Sequence, residues 1–368
     1  MQVPVNRPLI SNDDREAVLR ALDQGELSGN SPLIEHIEGE LSEYFSGSYA
    51  TLVASGTSAC DLATIAAGVH AGDRVLVSAS TIISTVAQAA RAGAQIDTLD
   101  VHPETWNVDF HDFRGMDFSK YKVVYPVHLY GLQSNISVVQ KDLEDLGVDI
   151  IEDSAEAFSQ KDNGRYCGTR GRFGIFSFYS NKLITSGEGG LILSKDKKDH
   201  DRIQSLKNLS FGKSERLLNE ELSWNLRMPA LSAALLQSQF RNLQSTLESK
   251  FALAARYFDG LEGIDQIQLP LKSSYGSSNH YWVFGFVLRD DSKFNAVSLR
   301  NVLKEKGVET RRFFPPLQMQ PTLKDVVSST PTPIANRLWE RGLYLPFGSG
   351  ISNSEVDYVI QSIREVLN

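Results

Sequence analysis

A lysine and an aspartate, each following an apolar run, are placed so that they could act on one cofactor. Lys182 follows the strand-like run 174–180, and Asp153 closes the run 148–153. A desolvated lysine loses its proton more easily than an exposed one and becomes a nucleophile near neutral pH. A carboxylate about 4 Å from a protonated ring nitrogen gains roughly 4 kcal/mol at an effective dielectric of 20. The pair favours a pyridoxal phosphate site, with Lys182 supplying the Schiff base and Asp153 keeping the pyridine nitrogen protonated.

Two further features are those of a phosphate site. The turn Ala54-Ser-Gly-Thr-Ser58 opens into a helical run at 59–69, and free N–H groups at a helix start attract anions. Ser177 could present its hydroxyl to the same phosphate. Simpler structural roles remain open: a capped helix for the turn, a helix N-cap for Asp153 and a solvated surface charge for Lys182.

The elements that would position these residues alternate along the chain. Val- and Ile-rich runs predict strands, and helical stretches lie between them; the strands are 74–80, 95–101, 122–130, 148–153, 174–180 and 190–194, and the helices are 59–69, 83–92 and 138–146. This alternation predicts an α/β fold with a mostly parallel sheet flanked by helices on both faces. A helix from Pro32 with Ser31 as its N-cap precedes this core.

The chain divides, on this interpretation, into a large domain, 1–245, and a smaller C-terminal α+β domain, 246–368. A polar helix at 241–256 connects them. The smaller domain offers a strand at 281–288, a helix at 296–306 and a closing helix at 354–366.

The composition of the chain limits the kinds of molecule that we expect it to bind. A net charge of −8 argues against the basic surface that binds nucleic acid. Two cysteines are too few for a disulfide framework and suit a reducing cytoplasm. Without a signal peptide or an 18-residue apolar stretch, we expect a cytoplasmic protein with no membrane partner and no metal site.

Five segments in order along the chain carry a resemblance to a known family. They are Ser55-Gly-Thr-Ser58, Pro126-Val-His-Leu-Tyr-Gly131, Glu152-Asp-Ser-Ala-Glu-Ala157, Ser177-Phe-Tyr-Ser-Asn-Lys182 with Gly187-Glu-Gly-Gly190, and Trp224-Asn-Leu-Arg-Met228. Together they resemble the DegT/StrS family of nucleotide-sugar aminotransferases over nearly the whole chain. The resemblance implies the aspartate-aminotransferase-like fold (fold type I), a glutamate amino donor and a homodimer with active sites at the subunit interface.

The resemblance also implies residue roles. Lys182 would carry the cofactor and move protons, Asp153 would pair with the pyridinium nitrogen, and Glu156 would lie near the phenolic oxygen. The phosphate would be held by Gly56, Thr57 and Ser177, and Asn225 would reach the phosphate of the neighbouring subunit's cofactor. Ile82 would contact the cofactor ring where the family usually has a stacking aromatic residue. Substrate contacts would come from His128, Tyr179, Arg227, Arg311 and Phe313.

Within the family, the segments around Lys182 and His128 look most like perosamine synthases, as does Gly307-Val-Glu-Thr-Arg-Arg-Phe-Phe-Pro-Pro-Leu317. This likeness implies amination at carbon 4 of GDP-4-keto-6-deoxymannose by a ping-pong mechanism, with pyridoxamine phosphate as the intermediate cofactor form, and a place in the biosynthesis of lipopolysaccharide O-antigen. Gln318 replaces a common histidine, and Arg172 a common aspartate. The alternatives are another keto-sugar nucleotide, dTDP- or UDP-linked and aminated at carbon 3 or 4, and a non-catalytic regulator that binds the cofactor.

Overall fold

A computed structural model describes residues 1–212, 214–215 and 217–367 of the chain. The helices are α1 (Asn12–Asp23), α2 (Pro32–Tyr44), α3 (Gly56–Ala66), α4 (Ala87–Arg91), α5 (Gln140–Asp145), α6 (Lys197–Lys207), α7 (Ala230–Arg241), α8 (Leu243–Leu261), α9 (Ala296–Glu305), α10 (Pro333–Arg341) and α11 (Asn353–Leu367). The strands are β1 (Tyr49–Val53), β2 (Arg74–Ser78), β3 (Gln95–Leu99), β4 (Val123–Tyr125), β5 (Asp149–Asp153), β6 (Lys161–Asp162), β7 (Arg165–Tyr166), β8 (Phe173–Ser177), β9 (Gly190–Ser194), β10 (Ile267–Gln268), β11 (Ser273–Ser274), β12 (Ser277–Ser278), β13 (Gly285–Leu288), β14 (Arg311–Arg312) and β15 (Gly342–Tyr344).

A seven-stranded sheet forms the centre of the fold, in the order β1-β9-β8-β5-β4-β2-β3. Its strands are parallel except β9, which pairs antiparallel with both β8 and β1. The strands are buried along almost their whole length, as expected for a sheet covered by helices on both faces. The mostly parallel α/β sheet predicted from the sequence is confirmed.

Local signals placed some elements accurately and misplaced others. The strand predicted at 190–194 matches β9, and Ser31 caps α2 by accepting the Leu33 N–H at 3.1 Å, with Pro32 in the first turn. The helix predicted at 83–92 is interrupted, because a 3₁₀ turn at Ile83–Thr85 precedes the short α4. The connecting helix predicted at 241–256 is α8, which follows α7.

The second sheet is antiparallel, in the order β10-β13-β15-β14, and lies in the C-terminal part of the chain. Its core includes side chains of α8, α9 and α11 and also Val3. The first residues therefore pack with the last part of the chain: Val3 donates its N–H to Gly307 O at 2.9 Å, and its carbonyl accepts the Glu309 N–H at 3.0 Å. The division predicted between 245 and 246 falls inside α8 and stays a prediction.

We predict that Gly174→Ala destabilises the fold, because a Cβ at this position of β8 would lie 1.9 Å from Gly168 O. Forcing an extra carbon into a packed core costs about 1–3 kcal/mol. Gly39→Ala is the matched control: it lies on α2 with nothing within 4 Å of the added Cβ, and alanine favours a helix over glycine by about 1 kcal/mol. Urea denaturation should therefore show opposite shifts, and equal stabilities for the two variants would contradict the packing described for β8.

Candidate active site

A cleft of about 290 Å³ opens where β2, β4, β5 and β8 end. Carboxyl ends of parallel strands meet at one edge of a sheet, where α/β proteins bind their ligands. The opposite wall comes from the C-terminal part of the chain, with Trp282 and Phe314. Most of the residues predicted from the sequence line this cleft: Gly56, Thr57, Ile82, His128, Asp153, Glu156, Ser177, Tyr179, Lys182 and Arg311.

Lys182 follows β8 in the loop that leads to β9, and its side chain is 13% exposed. The Nζ atom lies 3.8 Å from Glu156 Oε1 and 4.3 Å from the centroid of the Trp282 ring. Burial lowers the pKa of Lys182, while the charges of Glu156 and Asp153 oppose that shift. Because burial wins, the amine is easier to deprotonate than an exposed lysine, as a nucleophile requires.

Glu156 is held in place by the turn that follows β4. Its Oε2 accepts the Tyr130 N–H at 3.0 Å, and Tyr130 has a φ of 58°, a conformation uncommon outside glycine. Burial raises the pKa of Glu156 to about 7, and the nearby Lys182 charge only partly offsets this. Glu156 can therefore hold or release a proton near neutral pH, next to the lysine.

Asp153 is the last residue of β5 and is 3% exposed. Thr85 Oγ1 donates to Oδ2 at 2.7 Å, and the Ala155 N–H donates to Oδ1 at 3.1 Å. The second of these bonds is of the kind that a helix N-cap carboxylate makes with the backbone. Over the described ranges, Asp153 has no ion pair within 4 Å. A buried carboxylate without a cationic partner is costly, and this fits the protonated ring nitrogen of pyridoxal phosphate.

The start of α3 forms the opposite end of the cleft. Ser55 Oγ accepts the Ser58 N–H at 3.1 Å, while the N–H groups of Gly56 and Thr57 belong to the first turn, which has no intrahelical acceptors. A Cβ at Gly56 would lie 2.9 Å from Ser177 Cβ, so only glycine lets the helix start approach the Ser177 hydroxyl this closely. These donors fit a phosphate group.

The residues present thus fit pyridoxal phosphate at three points. Asp153 can face the ring nitrogen, the first turn of α3 can bind the phosphate, and Lys182 can reach the aldehyde carbon. Ile82, 47% exposed in the cleft wall, offers dispersion contact where an aromatic ring would stack.

Two of the predicted substrate contacts, His128 and Phe313, are buried within the protein. His128 is completely buried; its Nδ1 accepts the Ser134 N–H at 3.0 Å and its Nε2 lies 3.2 Å from Glu152 Oε2. Both ring nitrogens are therefore occupied by the protein. Phe313 is 1% exposed and packs on Tyr130 at a centroid distance of 4.5 Å, and the neighbouring Phe314 lines the cleft instead.

Asn225 and Arg227 lie outside the cleft of their own chain. Asn225 is exposed, and Arg227 donates to Asn208 Oδ1 while its backbone bridges to Val53. The predicted contact of Asn225 with a neighbouring subunit stays a prediction.

Sequence reasoning missed several residues that line or support the cleft. They are Ser84, Thr85, Glu188, Trp282, Phe314 and Tyr344. Thr85 follows a parallel strand, and that position could have marked it. Trp282 and Tyr344 come from the distant second sheet region, so no local pattern connects them with Lys182.

The sheet is mostly parallel, and a lysine, an aspartate and a helix start meet at one of its edges. This arrangement defines the class of pyridoxal-phosphate-dependent enzymes of fold type I. The pattern of the DegT/DnrJ/EryC1/StrS aminotransferase family matches residues 8–364. The chain is similar to the GDP-perosamine synthase of Escherichia coli O157:H7, with 31% identity over 99% of this chain and 98% of the relative. The Vibrio cholerae GDP-perosamine synthase is 30% identical over 100% and 99%.

Among solved structures, Streptomyces venezuelae DesV matches with a TM-score of 0.89 and 26% identity, covering 100% of this chain and 99% of that one. The chain belongs to the DegT/DnrJ/EryC1/StrS aminotransferase family. The predictions of family, of fold type I and of a pyridoxal-phosphate-dependent aminotransferase are confirmed.

Two further findings concern membranes and metal ions. Within the part of the chain that the structure describes, no helix is both long and apolar enough to cross a bilayer. The same residues contain no group of three or more His, Cys, Asp and Glu side chains that could hold a metal ion.

We predict that Glu156 makes stability depend on pH in the cofactor-free protein. Folding raises the pKa of Glu156 from its ordinary range to about 7. The folded state therefore binds a proton that the unfolded state releases, and this proton stabilises the fold fully at a pH below the ordinary pKa of glutamate. The stabilisation is lost as the pH rises through about 7. Glu156→Gln does not titrate. The free energy of unfolding of the wild type, measured relative to Glu156→Gln, should fall between pH 5 and pH 8.

Glu248→Gln, at an exposed position on α8, is the matched control for removing a carboxylate. A difference between wild type and Glu156→Gln that stays constant from pH 5 to pH 8 would contradict the raised pKa.

Proposed function

We propose that the protein transfers the amino group of glutamate to carbon 4 of a GDP-linked 4-keto-6-deoxy sugar. The observation that carries the proposal is the triad of Lys182, Glu156 and Asp153 in one cleft, with Lys182 Nζ 3.8 Å from a carboxyl oxygen of Glu156. Similarity to two GDP-perosamine synthases over the full length of the chain supports the choice of acceptor. The reaction has two halves, and 2-oxoglutarate leaves before the keto-sugar enters.

The chain's own residues divide the work between binding and proton transfer. Asp153, oriented by Thr85, keeps the ring nitrogen protonated, and the N–H groups of Gly56 and Thr57 bind the phosphate. When bound, pyridoxal phosphate supplies the electron sink for the charge that develops on the amino-bearing carbon. Lys182 moves the proton to and from that carbon, and Glu156 holds a proton beside it.

The acceptor would enter over the rim formed by Tyr179, Arg311 and Tyr344, which all line the cleft. Arg311 pairs with Tyr344 across β14 and β15 and forms no ion pair within 4 Å in the described parts of the chain. A guanidinium in this position can bind phosphate oxygens in a bidentate manner. The nucleotide's diphosphate would therefore remain at the rim while the keto group reaches Lys182.

The proposal includes a homodimer. The loop before α7 exposes four large apolar side chains, and exposed apolar patches mark interaction surfaces. They are Leu217 (78%), Leu218 (67%), Leu222 (98%) and Trp224 (47%). The neighbouring Asn225 is exposed and lies away from its own cleft, as expected for a residue that serves the site of a second copy.

A cytoplasmic location belongs to the same proposal. Cys60 and Cys167 are both free and buried, which suits a reducing compartment.

We predict that the purified protein with pyridoxal phosphate moves ¹⁵N from labelled glutamate to GDP-4-keto-6-deoxymannose, detected by mass spectrometry of the nucleotide sugar. Lys182→Ala should remove the activity entirely, because it removes the group that moves the proton. dTDP- and UDP-linked keto-sugars in parallel test the other acceptors. Cofactor binding without nitrogen transfer to any of these sugars would favour the regulator over the enzyme.

We predict that inactive Lys182→Ala and impaired Asn225→Ala subunits complement each other when mixed. If Asn225 serves the neighbouring site, one site of each heterodimer carries both native residues, and random mixing restores about a quarter of the wild-type activity. If Asn225 acted within its own chain, every heterodimer site would keep one defect and mixing would restore nothing. Mixing Lys182→Ala with Lys182→Met subunits is the control, because no native site can form.

A further inference from the structure

A second lysine is buried behind the cleft and plays no part in the function proposed above. Lys250 lies on α8 and is 2% exposed. Its Nζ donates to Trp282 O at 2.8 Å and lies 4.9 Å from the Phe347 ring centroid. In the described ranges no carboxylate lies within 4 Å of this ammonium. A buried lysine without an acidic partner is unfavourable for folding alone, which suggests a role in the site.

Lys250 is connected to Lys182 through one side chain. Trp282, whose carbonyl accepts from Lys250, lies with its ring 4.3 Å from Lys182 Nζ. The Trp282 Nε1–H donates to Asn181 O at 3.0 Å, which fixes the indole to the residue before Lys182. Lys250 therefore holds, through one backbone hydrogen bond, the ring that covers Lys182.

The two lysines also face a common small cavity of about 10 Å³. Its remaining walls are neutral, with Asn6, Ser180, Thr185 and Gln239 among them. A cavity needs about 10–15 Å³ to hold a single water, so the two lysines share almost no solvent on this side.

Among the described residues, few charged groups act on the pair. Lys182 has the carboxylates of Glu156 and Asp153 on the cleft side, whereas Lys250 faces Lys182. Burial lowers the pKa of Lys250 to about 7, and the charge of Lys182 adds to that shift.

We propose that Lys250 is a positioning residue for Lys182: its buried ammonium keeps the Trp282 ring over Lys182 and so keeps water away from that lysine. The inference rests on the proposed role of Lys182 and adds a residue, in a different part of the chain, that supports its desolvation. Lys250 touches neither the cleft nor the reacting atoms, so it acts only through Trp282.

The first test titrates Lys182 by NMR in cofactor-free protein that carries ¹⁵N-labelled lysine side chains. Lys250→Met keeps the bulk and removes the hydrogen bond to Trp282 O, so water reaches Lys182 and its titration midpoint should move to higher pH. Lys250→Arg keeps a donor for Trp282 O and should hold the Lys182 midpoint below that of Lys250→Met. Lys304→Met, at an exposed position on α9, is the matched control and should leave the midpoint unchanged. An unchanged Lys182 midpoint in folded Lys250→Met overturns the proposal.

A reciprocal measurement does not require Lys250→Met to fold. In Lys182→Met the midpoint of Lys250 should rise above about 7, because the like charge has been removed. An unchanged Lys250 midpoint would overturn the close approach of the two lysines on which the proposal rests.

The position of Trp282 has its own measurement. Hydrogen exchange of the Trp282 Nε1–H should become roughly tenfold faster in Lys250→Met, about 1.4 kcal/mol of lost protection, and equal rates would overturn the proposal. All of these experiments omit cofactor and substrate. If nitrogen transfer is not observed, the role proposed for Lys250 can therefore still be tested. If the role proposed for Lys250 is overturned, the aminotransferase proposal is not affected.

Discussion

The desolvation of Lys182 is the constraint on which the rest of the site depends. An exposed lysine keeps its proton up to a pH of about 10.4, and a buried one is costly unless nearby groups compensate for its lost hydration. Glu156 compensates on one side and the face of the Trp282 ring on the other. Glu156 in turn needs the Tyr130 N–H, which only the unusual backbone after β4 presents in that direction.

The direction of the strands explains why these groups meet. β4, β5 and β8 run parallel, so Tyr130, Asp153, Glu156 and Lys182 all emerge at the same edge of the sheet although they are distant in sequence. β9 runs back from that edge, and its first residue, Gly190, lies so close to α3 that a Cβ there would be 2.4 Å from Ser55 O. The glycine-rich turn after Lys182 therefore lets the anion-binding helix start lie against the lysine loop.

The sequence was informative where a functional or capping residue directly follows a strand or precedes a helix. Lys182 after β8, Asp153 at the end of β5 and Ser31 before α2 could each be placed from a local pattern of burial and capping. The resemblance implies a substrate contact for Phe313; in the structure this ring is buried and Phe314 lines the cleft, and because the chain leaves β14 at Arg312, alternation does not indicate which of the two side chains faces the site. The resemblance also implies a substrate contact for His128, whose ring nitrogens are occupied by Ser134, in the same turn, and by Glu152, on a neighbouring strand that no local pattern connects with it.

The surroundings of Lys182 depend on both sheets, although the residues with proposed catalytic roles follow strands of the seven-stranded sheet. The parallel sheet contributes the carboxylates, the helix start and the lysine, and with these alone Lys182 would lie at an open edge in contact with water. Trp282 precedes β13 of the second sheet, and its indole N–H and ring cover the lysine loop. Water excluded by that ring would otherwise hydrate the ammonium and raise its pKa towards the exposed value. The second sheet region thus contributes to the reactivity of Lys182 by excluding solvent.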